Sequence, residues 1–60
     1  MIFFPDESDV FVKLSKDKRY EIRSEFSKNG GWHFVNFEGR RIGEYNSMKR
    51  AEQACEDHAK

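Results

Sequence analysis

The sequence has one cysteine, one proline and no unbroken apolar run longer than the opening Met1–Phe4. A lone cysteine, Cys55, excludes an intrachain disulfide and fits a reducing compartment. The Met1–Phe4 run is followed at once by Pro5, Asp6 and Glu7, so it lacks the basic start and the apolar core of a signal peptide. Nothing approaches the ~20 apolar residues of a membrane span. These absences predict a soluble, cytoplasmic protein with no membrane partner. The glycines, at 30, 31, 39 and 43, match no phosphate-loop spacing.

Net charge is also absent, with 11 basic and 11 acidic residues, but the balance is uneven along the chain. Residues 1–12 carry Asp6, Glu7 and Asp9 and no base. Residues 13–50 hold ten bases against five acids, and residues 51–60 are acidic again. Segregation of this kind builds a basic surface on a neutral protein. What the chain has in quantity is aromatic rings, nine in 60 residues. Large rings bury area efficiently in a domain too small to bury much more than about 60% of its unfolded surface.

The hydrophobic pattern predicts one α+β domain over residues 1–60. Residues 9–15 alternate as a strand, and 19–27 alternate more cleanly, with Tyr20, Ile22 and Phe26 against Arg19, Glu21, Arg23 and Glu25. Asn29-Gly30 is a hairpin signal before a strand at 32–38, and Glu38-Gly39 is a second tight turn before 40–45. Ser47 (or Asn46) caps a helix over 47–59, with Ala51, Ala54, Cys55, His58 and Ala59 on one face. The expected fold is an antiparallel meander of three strands, or four if 9–15 joins it, covered on one face by the C-terminal helix.

The turns then assign the faces. A two-residue Asn29-Gly30 loop pairs Ile22 with Phe37, and a two-residue Glu38-Gly39 loop pairs Val35 with Ile42. One face collects Tyr20, Ile22, Phe26, Val35, Phe37 and Ile42. The other, left open, collects Arg19, Glu21, Arg23, Glu25, Trp32, Phe34, Asn36, Arg41 and Tyr45. A three-residue loop over 29–31 would slip the register by one and exchange the faces of 32–37. Both loops are compatible with the sequence.

Candidate chemistry is sparse. Cys55 and His58 lie three apart on the helix, but only His33 joins them without invoking carboxylates, fewer than the four ligands of structural zinc. No metal and no cofactor is expected. Glu21, Glu25 and Glu44 are spread among bases, which predicts cross-strand pairing rather than acid–base catalysis. So short a chain hardly encloses a substrate cleft, so neither an enzyme nor a small-molecule substrate is expected. The basic residues Arg19, Arg23, Arg40, Arg41, Lys49 and Arg50, with Trp32 and Asn36, form the candidate site. Arginine forks suit phosphate and guanine edges, and exposed rings offer stacking. Lys49 and Arg50 open the helix against its dipole, where free N–H groups form an anion site. The plainer reading is a solvated face laced with Arg–Glu pairs.

The run "GRRIGEYNSMKRAEQA" resembles the third strand and helix entry of three-stranded-sheet-plus-helix DNA-binding units, the plant ethylene-response-factor type and the N-terminal arm-binding domain of tyrosine integrases. The similar elements are Arg41, Ile42-Gly43-Glu44-Tyr45, Ser47 and the Ala51/Ala54 helix, with Trp32 opening the central strand, so the resemblance covers about residues 30–60. It implies an open sheet face laid in the major groove, with Arg23, Trp32, Asn36 and Arg41 toward DNA. The expectation is a small non-enzymatic DNA-binding or DNA-associated regulatory protein, of the kind used as a phage or bacterial accessory factor. The alternative is a protein-interaction module or homodimer that buries its open aromatic face.

Overall fold

The computed structural model describes residues 1–60. The chain forms β1 (Phe3–Asp6), β2 (Asp9–Ser15), β3 (Tyr20–Ser27), β4 (Gly30–Phe37), β5 (Arg40–Tyr45) and α1 (Met48–Ala59). The strands form one antiparallel sheet in the order β1-β2-β3-β4-β5. The α+β class is as expected, but the sheet has five strands rather than three or four. The additional one comes from the Met1–Phe4 region. Pro5, which cannot donate to a ladder, is accommodated because β1 is an edge. Between Pro5 and Asp6 the pairing jumps from Lys13 to Asp9, so Val10–Val12 have no partner in β1.

The β3–β4 hairpin closes on Lys28-Asn29, with Ser27 opposite Gly30. Gly30 carries the positive φ of 118°, whereas Asn29 does not adopt one. The loop therefore lies one residue earlier than the Asn-Gly signal implied. Ile22 faces Val35 instead of Phe37. The pairing slips by two, and since side chains alternate with period two, the faces are unchanged. The Glu38-Gly39 turn forms as read, with φ of 50° and 83° at its two residues, the double positive pattern of a type I′ hairpin.

In β5 the register breaks. Asn36 pairs with Arg41 and Val35 with Gly43, leaving Ile42 as the extra residue of a bulge. Beyond it Tyr45 faces His33. Tyr45 therefore packs on the helix side with the core, which corrects its expected place on the open face.

α1 is capped by Ser47, whose hydroxyl accepts from Arg50 N–H at 3.1 Å. Ala51 and Cys55 are fully buried against Tyr20, Ile22 and Val35, with Phe3, Phe37, Ile42, Tyr45 and Met48 around them. Small helix residues let the backbone approach the sheet closely. At the far end Tyr20 Oη and His58 Nδ1 share a 2.7 Å hydrogen bond. The helix touches β3, β4 and β5 and neither β1 nor β2. Width explains this: five strands span ~24 Å, and one helix is ~10 Å across. Cover is incomplete along the strands too: Phe26, at the β3–β4 turn end of β3, points to the helix side yet remains 65% exposed. It is not part of the core expected for it.

Candidate functional site

Alternation and register arrange the open face in rows across the sheet. One row runs Val12, Arg23, Phe34 and Glu44, and the next runs Leu14, Glu21, Asn36 and Arg41. Glu25 and Trp32 form a third, nearer the β3–β4 turn. Arg23, Trp32, Asn36 and Arg41 thus lie together on the face that carries no helix, where the two-residue reading of the turns places them.

Val12 was not assigned to this face by the sequence pattern, and it is the most informative residue there. It is only 2% exposed, yet it stands outside the cluster under the helix. Its partner Arg23 alternates with core-facing Ile22, which places Val12 on the opposite side of the sheet. The open face therefore has a small hydrophobic centre of its own, beside half-buried Leu14 and Phe34.

The charged groups on this face are largely occupied by one another. Glu21 accepts from Arg23 Nε at 3.2 Å and from Asn36 Nδ2 at 2.8 Å. Arg41 lies over the Phe34 ring, 4.3 Å from its centroid, and reaches Glu44 at 3.9 Å. Such contacts hold both guanidinium groups in place while leaving one face of each in solvent. Two arginines stand against Glu21, Glu25 and Glu44, so the face has an acidic excess. Trp32, half exposed, is the only tryptophan of the chain.

The remaining site residues are dispersed. Arg19 leaves the open face: it pairs with Glu38 at 3.0 Å and lies 5.0 Å over Phe37 on the helix side. Arg40 is opposite Phe37, at the start of β5. Lys49 and Arg50 follow the end of β5 and lie at the other end of the sheet. Arg41 and Tyr45 are four residues apart along that strand, about 13 Å. The basic helix entry and the Arg40–Arg41 pair therefore do not form one anion site.

Two histidine contacts carry some chemical interest. Ser24 Oγ and His33 Nδ1 are 2.7 Å apart across β3 and β4, an arrangement the strand alternation did not flag. His33 is buried, its ring lies edge-on to Phe26, and no carboxylate bonds to its other nitrogen. The pair satisfies two polar groups, and Ser24 lines a shallow depression with Phe11, Glu25 and Phe26. Cys55 is buried beneath the helix; desolvation, with Glu52 and Glu56 nearby, pushes its thiol up to about 11. The largest depression, about 690 Å³, is lined by Met1, Ile2, Ser15, Lys16 and Asp17, away from the open face. No helix is long and apolar enough to cross a membrane.

Comparison with protein-family models, curated proteins and solved structures finds no match.

Proposed function

We propose that this protein is a small non-enzymatic binding module whose open sheet face docks on a protein partner. The observation that carries this reading is the composition of that face. Its arginines and asparagine are already paired to glutamates, while Trp32, Phe34 and the Val12 centre supply the apolar contact. Aromatic and arginine side chains around an apolar centre are what protein interfaces favour. Duplex DNA is the second reading, favoured by Arg23, Trp32, Asn36 and Arg41 sharing the face that carries no helix. Against it stands the acidic excess, because DNA affinity comes largely from neutralised phosphates. On either reading the site residues are Arg23, Trp32, Asn36 and Arg41. Arg19, Arg40, Lys49 and Arg50 lie off this face.

A photo-crosslinking residue in place of Trp32, exposed to light in cells, separates the readings. A discrete protein adduct, reduced by Arg41→Ala, is expected. A nucleic-acid adduct whose yield falls steeply with salt would move the assignment to DNA. An absence of both, with the fold intact by circular dichroism, would overturn the proposal.

A further inference from the structure

The helix-side face holds a second surface, independent of the open one. α1 crosses β3–β5 but leaves a shelf uncovered at the end of the helix-side face nearest the β1–β2 and β3–β4 turns. On it Phe11 and Phe26 pack ring to ring at 5.7 Å, and they are 54% and 65% exposed. We propose that the shelf is where a second copy of this chain docks, around a two-fold axis passing near Phe26.

Charge supports this choice of occupant. The β1–β2 turn lies at the same end of the sheet as Phe11 and Phe26 and carries Asp6, Glu7 and Asp9. On the far side of the shelf α1 begins, with Lys49 and Arg50 in its first turn and no acid there. Phe26 belongs to β3, the middle strand, so it lies between the acidic turn and the basic helix start. A two-fold rotation about that midpoint sets the acidic turn of each copy against the basic helix start of the other. Such a patch complements itself, which is the requirement of an isologous interface. The arrangement also gives a reason for helix charges that oppose the dipole: Lys49 and Arg50 meet the partner's carboxylates. None of the five ion pairs within the chain involves Lys49, Arg50 or Glu7.

Area sets the strength. The exposed parts of two phenylalanine rings contribute on the order of 200–250 Å² per copy. That is well short of the ~800 Å² per partner of a standard interface. Even with the charged flanks added, a dimer of modest affinity is expected, with a dissociation constant in the range of tens to hundreds of micromolar.

Sedimentation equilibrium of the full chain from about 10 to 1,000 µM tests the proposal. Reversible dimerisation is expected that weakens at least fivefold in Phe26→Ser. Glu7→Lys alone and Lys49→Glu/Arg50→Glu alone should each weaken it, and the triple variant should recover it. A monomer throughout the range overturns the proposal. So does a dimer indifferent to Phe26→Ser, since another surface would then form it. Unchanged circular dichroism and urea midpoints show that loss of association is not loss of fold.

Discussion

Replacing Gly43 with alanine isolates the contact that distinguishes this sheet from the one its sequence implies. A Cβ at Gly43 would stand 2.7 Å from both Cε2 and Oη of Tyr45 and 2.9 Å from its Cζ. The backbone there is not left-handed, so alanine meets no conformational barrier. On its own it would stabilise by about 0.5–1 kcal/mol through reduced freedom of the unfolded chain. The ring, however, must swing off. Uncovering about 50–100 Å² of apolar surface costs roughly 1.3–2.5 kcal/mol. The net expectation for Gly43→Ala is destabilisation by about 1 kcal/mol, a urea midpoint lower by about 0.5–1 M for a domain of this size. In a Tyr45→Leu background the obstacle is gone, so the same change should stabilise by about 0.5 kcal/mol. Urea titrations of the four proteins, followed by Trp32 fluorescence and far-ultraviolet circular dichroism, complete the double-mutant cycle. The coupling should be about 1.5 kcal/mol. A Gly43→Ala effect that is the same in both backgrounds would refute the reasoning. Tyr45 would then lie on the open face after all.

Two more expectations are open to direct measurement. Val12→Ala should lower the unfolding free energy by about 1–2 kcal/mol, against no more than about 0.5 for the exposed Val10→Ala; equal effects would show that the open face has no buried centre. Cys55 should react slowly with a thiol reagent at pH 8. Its ordinary value of 9.0 is raised to about 11 in the fold, so the folded chain retains the proton longer than the unfolded one. The Cys55 contribution should therefore be fully present below pH 9 and fall between pH 9 and 11. The stability gap between wild type and Cys55→Ala should narrow there by up to about 2 kcal/mol; a gap constant with pH would contradict the burial of the thiol.

The readable parts of this fold are those where one residue determines one local conformation. Glu38-Gly39 needs two positive φ values, and the turn formed where its sequence indicated. Ser47 has a hydroxyl to offer the free N–H groups, and the helix starts beside it. Ile22, Val35, Ala51 and Cys55 alternate or recur at the proper period and are all buried. What was not readable depends on longer-range geometry. The Asn29-Gly30-Gly31 run fits loops of more than one length, so both the loop position and the faces of 32–37 stayed open until the pairing of Ser27 with Gly30 fixed them. The one local sign of a bulge in Arg40–Tyr45 is Gly43, which fits a close approach equally well, and one unpaired residue moved Tyr45 to the other side. Alternation says toward which face Phe26 points, but only the width of the helix says whether it is covered. The candidate site shares this division: Arg23, Trp32, Asn36 and Arg41 follow from alternation. The separation of Lys49 and Arg50 from Arg40 needs the path of the chain.

The limited reach of the helix also divides the molecule into parts of unequal cohesion. β3 and β4 pair along their whole length and lie beneath α1, whereas β2 pairs with β3 only over Val12–Leu14. The β1–β2 hairpin is therefore attached by a short ladder, by Phe3 against the core and by the Met1 ammonium, which pairs with Glu56 of α1. Local opening follows the least-supported backbone, so this hairpin should detach while β3–β5 and α1 stay folded. Its departure would uncover Val12 on one face and the edge of β3 on the other side of that ladder. Such an opening would leave three strands under α1 with a fresh strand edge at β3.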